Sequence, residues 1–426
     1  MSDQLVLACE RRTLPCGLDV IVHRDDTSPQ VCTSVWYRAG SSDERPGRTG
    51  FAHLFEHVFK NSAHLPMHHY ELLRRAGASD ANASTGPDRT AYHEVVPAHE
   101  LPLALWLESD RMGYLLPGLT TDRFAQQQAV VRAERTRRYE SVPYGPDQFA
   151  VALALYPEGH PQRHLTIGLH EHIQAATLAD AVAWYRTWYV PANATLVVAG
   201  DVDSNVWDRI EHYFGSFPAS ARPPRRSVPA PTLASAVTAR VEDRFAALPR
   251  VHRAWHGPPA FAADEPELDL IAAAWAAVGT GRLWRRLVYE TELAQRVSAW
   301  TQNGRLGGEL HVTVDLKTGS DPAAARAILD EECARVPEPA ALARAYTRRE
   351  AGAVWALVSL SRRIAMLQRY ALYTGEPDGL TADLARYRAV TPDSAAAALA
   401  RWIHRDRYVE VETVPVTGQA LAVARS

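Results

Sequence analysis

Gly50-Phe51-Ala52-His53-Leu54-Phe55-Glu56-His57-Val58-Phe59-Lys60-Asn61 is the stretch of this 426-residue chain on which the reading turns. Its apolar residues recur at helical spacing, and Thr49 stands where a cap belongs. The pattern predicts a helix from Gly50 to about Asn61. On a helix, positions i and i+4 share a face, about 6 Å apart at their Cβ atoms. His53 and His57 so placed can each give one nitrogen to a single divalent cation. Glu56, one turn after His53, can hold a water against such an ion and take its proton. A His pair on a helix is also a common core or surface feature. The apolar flanks, and a carboxylate offered by a distant helix, favour the metal reading.

Working outward, strands are predicted at Leu18 to His23 and Val31 to Tyr37, before the polar stretch Gly40 to Thr49. After the quoted helix, a second helix covers His69 to Ala76 and stops at Gly77. Strands at Ala81 to Ser84 and Thr90 to Val96 flank the turn Gly86-Pro87-Asp88. Helices follow over about Glu100 to Leu116, Asp122 to Glu140, Asp147 to Leu155 and Leu178 to Trp188, then a strand at Thr195 to Ala199. The segment Phe217 to Ser235 carries five prolines, with Arg225 and Arg226 between them. It reads as a semi-rigid linker. Beyond it the order of elements recurs: a strand at Val251 to Trp255, a helix at Leu268 to Val278, a strand at Leu310 to Leu316, and helices at Pro322 to Val336 and Pro339 to Tyr373. The expected fold class is α+β. It comprises two similar α/β-sandwich domains, residues 1–220 and 236–426, joined by a Pro/Arg-rich linker at 221–235.

Composition narrows the function. Hydrophobic residues make up 46% of the chain and charged residues 22%, with a net charge of −3. That balance describes a globular protein and offers neither a nucleic-acid surface nor a polybasic membrane patch. No apolar run approaches a membrane span. Four cysteines, none spaced as CxxC, make neither a disulfide framework nor a zinc ribbon. The beginning of the chain lacks the pattern of a secretory signal. A soluble, cytoplasmic protein with reduced thiols is the expectation.

A catalytic zinc wants three protein ligands and one open position. The predicted helix Asp122 to Glu140 offers the third as Glu134 or Glu140. Either could instead be an ordinary surface carboxylate, Glu134 paired with Arg135 or Arg138. His64, His68 and His69 form a second candidate metal cluster, or a solvated loop. His170-Glu171-His172 begins like H-E-x-x-H, but Gln174 ends the match. Neither a phosphate loop nor a serine nucleophile elbow is present.

The order H-x-x-E-H is that of inverted zincins. With its surroundings, the chain resembles the insulinase/pitrilysin family of zinc metallopeptidases, in its half-length bacterial and mitochondrial-processing-peptidase-like branch. Asn82-Ala83-Ser84-Thr85 and Asp88-Arg89-Thr90-Ala91-Tyr92 match that family's paired strands. Tyr189-Val190-Pro191-Ala192-Asn193-Ala194 and Gly200-Asp201-Val202-Asp203 match two later segments. The resemblance implies one Zn²⁺ per chain held by His53, His57 and Glu134, with Glu56 as catalytic base. It implies hydrolysis of peptides or unfolded segments inside a closed chamber, of which this chain would form half. Asn82 and Ala83 would offer strand backbone to an extended substrate; by sequence alone they fit an ordinary edge strand equally. Where relatives carry an acidic residue two turns before the third ligand, this chain has Gln127.

The second half departs further. Family members that complete the site from their C-terminal domain carry an Arg and, seven residues later, a Tyr. Here Val288 and Gln295 occupy those positions. The expected arrangement is therefore a hetero-oligomer in which a paralogous half-length subunit supplies the Arg/Tyr pair. The rivals are a non-catalytic assembly subunit and a peptide-binding module.

Overall fold

The computed structural model describes residues 5–59, 64 and 69–416. Contacts divide the chain into two units whose segments interleave. The first comprises 1–132, 166–227 and 350–385; the second comprises 133–165, 228–349 and 386–426.

The first unit is built on a six-stranded sheet: β1 (Glu10–Thr13), β2 (Asp19–Arg24), β3 (Gln30–Tyr37), β4 (Asp80–Thr85), β5 (Thr90–Pro97) and β6 (Ala194–Gly200). Their order is β1-β2-β6-β3-β5-β4. β2 and β6 run parallel, and the other neighbours are antiparallel. Strand alternation gives the sheet two buried faces. From one face Cys32, Val197 and Ala199 pack with Ile364, Leu367 and Ala371 of the helix Leu360–Tyr373. From the other, Tyr37 meets Phe59 edge-on, at the end of helix α1 (Phe51–Val58). The helices α2 (His69–Arg75) and α3 (Leu101–Gly118) also belong to this unit.

The second unit repeats the plan with five strands: β7 (Val237–Asp243), β8 (Arg250–Gly257), β9 (Ala294–Gly304), β10 (Gly307–Leu316) and β11 (Val409–Pro415). Their order is β7-β11-β8-β10-β9, with β7 and β11 parallel. Removing β1 from the first sheet leaves the same pattern: the first strand beside the last, then the second, fourth and third. Val251 and Trp255 face a core with Leu268, Ile271 and Trp275 of the helix Glu265–Trp275. From the opposite face, Ala254, Val409 and Val411 pack on Val151, Leu155 and Tyr156, which belong to or adjoin helix α5 (Gly145–Leu155). Helix α4 (Thr121–Arg135) runs across the point where the first unit gives way to the second.

All strands of the first sheet precede the proline-rich segment, and all of the second follow it. The covering helices are exchanged. α5 precedes that segment yet covers the second sheet, and Leu360–Tyr373 follows it yet covers the first. The proline-rich segment has neither helix nor strand. Its Arg225 is nonetheless anchored in the first unit, 2.7 Å from Asp43, and donates to the Asp88 carbonyl at 2.9 Å.

Two local expectations need correction. The helix read as Pro339 to Tyr373 is two, Pro339–Ala356 and Leu360–Tyr373, because the Ser359 hydroxyl accepts from the Arg362 N–H and starts a new helix. The metal-motif helix is not capped by Thr49. Its N-cap is Gly50, at φ 80°, and a bare glycine leaves the first-turn donors to be met from elsewhere.

Candidate metal centre

Those donors are met by Glu44. Its two carboxylate oxygens accept from Gly50 N–H at 3.0 Å and Ala52 N–H at 2.8 Å. Burial pushes Glu44 up to about 8, against the lowering effect of those backbone bonds. Thr49 is used differently. Its hydroxyl lies 2.8 Å from His172 Nδ1 and accepts from Leu169 N–H at 3.1 Å.

α1 so anchored presents two faces. Phe55 and, just beyond the helix end, Phe59 enter an aromatic cluster with Tyr37, Tyr92 and Tyr189. His53, Glu56 and His57 come together on the helix. The two imidazoles meet edge to face, with ring centres 4.8 Å apart and planes at 81°. One donor atom from each of His53, Glu56 and His57 lies within 4.8 Å of the others. Among the described residues this is the one group of three or more His, Cys, Asp or Glu side chains so arranged. His53 and Glu56 are buried and His57 is half-buried. Two neutral imidazoles and a carboxylate form a borderline donor set that suits Zn²⁺.

The sequence did not point to Thr85 as a partner. At the end of β4, its hydroxyl donates to Glu56 Oε2 at 2.7 Å. β4 is an edge strand of its sheet. The Ala83 N–H is met by the Asn82 side chain at 2.9 Å, so local chemistry occupies that group. Pairing across a hairpin brought Thr85 within reach, and nothing local to α1 signals it.

Glu134 stands in the second unit, near the end of α4, 8% exposed and 3.0 Å from Arg138. Glu140 is held by Arg135 at 2.9 Å and by the Thr136 hydroxyl at 2.9 Å. Of the second histidine cluster, His64 pairs with Asp110, His69 is buried, and His68 lies outside the described residues.

Paired helical imidazoles with a carboxylate beside them make a candidate metal-binding group, and the chain is similar to proteins of one peptidase family. The profile described as Insulinase (Peptidase family M16) matches residues 19–140, and the one described as Peptidase M16 inactive domain matches 175–336. The chain belongs to the M16, insulinase-like, family. It is 32% identical over 210 residues to zinc protease PqqE of Helicobacter pylori, covering 49% of this chain and 47% of that protein. The aligned part thus spans about half of that relative. The fold matches the crystal structure of a protease from Helicobacter pylori with a TM-score of 0.88 at 24% identity, over 96% of this chain and 100% of that one. It matches the periplasmic protease PqqL from Escherichia coli with a TM-score of 0.78 at 18% identity, over 96% of this chain but 48% of that one. In the described residues no helix is long and apolar enough to cross a membrane.

Proposed function

We propose that this chain is the zinc-bearing subunit of an endopeptidase that cuts peptides or unfolded segments. The observation that carries the reading is the convergence of His53, Glu56 and His57 on α1 in a chain of this family. His53, His57 and Glu134 would hold one Zn²⁺. When bound, the ion would supply Lewis acidity to water and to the scissile carbonyl. Glu56 would take the proton of the attacking water and pass it to the leaving amine. The Thr85 hydroxyl keeps one Glu56 oxygen in place. An extended substrate would add to the free edge of β4 beside Asn82 and Ala83, displacing the Asn82 side chain from the Ala83 N–H.

The Arg/Tyr pair would come from a second, paralogous half-length subunit. Val288 packs against the apolar core of its unit, and Gln295 is exposed on β9; neither is a cation or a phenol. The match to about half of PqqL supports a partner of similar length. A cytoplasmic location is part of the same proposal, supported by four free thiols. A non-catalytic or peptide-holding role is the second reading, favoured for the chain by itself by Val288 and Gln295.

Metal analysis and cleavage assays test this. One zinc per chain, chelator-sensitive cleavage with the partner present, and loss of cleavage in Glu56→Gln with zinc retained are the expected results. Cleavage that survives Glu56→Gln overturns the mechanism. Full cleavage by the isolated chain overturns the division of labour.

A further inference from the structure

The second unit buries a chain of titratable side chains that the proposed chemistry does not use. α5 brings Asp147 in its first turn and Tyr156 just past its end. β8 brings His252, and β10 brings Glu309 and His311. His252 Nδ1 lies 3.0 Å from both oxygens of Asp147, and its Nε2 lies 3.0 Å from Nδ1 of His311. His311 Nε2 lies 2.8 Å from Glu309, whose other oxygen accepts from the Tyr156 hydroxyl at 2.7 Å. Asp147, His252 and His311 are all buried, and the Trp300 indole stacks on His311 with planes at 10°.

Counting hydrogens sets a condition on this chain. Three nitrogen-centred bonds link Asp147, His252, His311 and Glu309, and each needs one hydrogen. Two neutral imidazoles carry only two. The chain is complete with one further proton, carried by any one of the four groups. Burial alone would raise Glu309, but its bonds to His311 and Tyr156 and the nearby imidazoles outweigh that and lower it. The lowered Glu309 therefore does not hold the extra proton. A second extra proton sets N–H against N–H between the two rings. Loss of the first sets lone pair against lone pair. Either change breaks a buried bond. His252 resists the second proton: burial lowers it most, His311 and Arg250 add to that, and Asp147 opposes. The other charged or titratable groups around the chain are Arg250, 3.8 Å from Asp147 and 2.6 Å from Asp315; Arg296, 3.4 Å from Asp315; His256, bonded to the Leu155 carbonyl; and His160, stacked on Tyr156.

α5 is tied in turn to the residues around Glu134. The Tyr139 ring meets Phe149 of α5 at 5.4 Å, and the Arg135 guanidinium lies 4.3 Å above that same ring. Gly145 lies so close to Tyr139 that a Cβ would sit 1.6 Å from the Tyr139 carbonyl oxygen. Glu134 immediately precedes Arg135, so it moves with this turn.

We infer that Asp147, His252, His311 and Glu309 are positioning residues: a one-proton clamp seats α5 on the second sheet and, through the Phe149 turn, fixes where Glu134 stands, within a pH window bounded on both sides. The link to metal rests on the reading of Glu134 as third ligand; the clamp itself does not.

Hydrogen exchange read by mass spectrometry on the full metal-free chain, between about pH 5 and about pH 10, tests the clamp. After correction for intrinsic exchange, protection of residues 145–156 should fall about tenfold at each end. The helix Leu360–Tyr373 should hold steady. In Glu309→Gln the amide donates to His311 Nε2 and the carbonyl accepts from Tyr156, so two neutral imidazoles suffice. In Asp147→Asn the amide donates to His252 Nδ1, with the same result by the opposite polarity. Both variants should lose the alkaline fall and keep the acid one. Flat protection in the parent chain, a parallel loss in the reference helix, or an alkaline fall retained in both variants overturns the clamp. Equilibrium dialysis with zinc alone tests the link. At the alkaline end, affinity should drop about tenfold in the parent and not in Glu309→Gln. Equal drops, with exchange behaving as expected, overturn the positioning role. Absence of zinc binding at every pH overturns the reading of the metal centre instead.

Discussion

The two units use the same residue types, histidine and carboxylate, to opposite ends. In the first, His53 and His57 stand one helical turn apart, with Glu56 beside them. Their donor atoms converge within 4.8 Å. In the second, His252 and His311 come from neighbouring strands, touch at 3.0 Å, and have Asp147 and Glu309 at the two ends. Converging donors are what a cation satisfies; donors in a line satisfy one another. The difference arises from secondary structure. A helix repeats a side chain on one face at i+4, whereas paired strands bring two rings into contact across the ladder. The residues at 252 and 311 are opposed obliquely across β8 and β10, where His311 pairs with Ala254 and Thr313 with His252.

This contrast predicts a division of effects, and the largest belongs to the first unit. Glu56→Gln should lower kcat by about 10²–10⁴-fold with KM little changed and zinc retained. Asp147→Asn, an equally conservative change in the second unit, should leave kcat near neutral pH within a few-fold. Steady-state kinetics with the proposed partner subunit present measures both. A comparable kcat loss in Asp147→Asn at neutral pH would remove the distinction.

Next in size is Gly145→Ala. The new methyl would meet the Tyr139 carbonyl, a backbone atom that cannot rotate away. The expected cost is about 1–3 kcal/mol, in the range of overpacked sites. Zinc affinity should fall with it, because the turn beside Glu134 must shift. Gly352→Ala is the control in the first unit. It sits in the helix Pro339–Ala356 with nothing within 4 Å of the added carbon. It should stabilise by about 0.5–1 kcal/mol. Urea unfolding measures both.

Glu44→Ala should cost about 1–2 kcal/mol, since it removes the acceptors for Gly50 and Ala52 at the start of α1. The pH dependence sharpens this. Burial raises Glu44 from 4.5 to about 8, so the folded chain favours its protonated form. Its contribution is fully present below 4.5 and is lost as pH rises through about 8. The gap between parent and variant should therefore narrow between those limits.

Much of this architecture was legible, for identifiable reasons. The i, i+4 imidazoles, the hairpin around Gly86-Pro87-Asp88 and the recurrence of strand and helix after the prolines are all local patterns. What the sequence hid was non-local. Glu44 caps α1 from outside it, where a reader looks to Thr49. The apolar periodicity continues through Leu357 and Leu360, so the break made by Ser359 does not show. Helices α5 and Leu360–Tyr373 cover sheets on the far side of the proline-rich segment, and no local signal marks such an exchange. The four-residue clamp unites positions from 147 to 311, each of which reads alone as an unremarkable polar residue.

The smallest expected loss of stability bears most closely on the contrast between converging and linear donors. Tyr156→Phe removes one hydroxyl that donates to Glu309 at 2.7 Å and leaves the ring in its place. The loss should be about 1 kcal/mol at neutral pH, the worth of one buried hydrogen bond. Its pH dependence follows from Glu309, which the folded chain holds below its ordinary value of 4.5. A carboxylate so depressed contributes stability above 4.5 and loses it as pH falls through the folded value. Tyr156 is one cause of that depression, so the gap between parent and Tyr156→Phe should be constant above 4.5 and close below it. Zinc stoichiometry should not change. Urea midpoints taken on both sides of that pH measure the gap. A gap that stays open in acid would mean that the Tyr156 hydroxyl acts independently of the Glu309 charge, and the clamp would then end at Glu309.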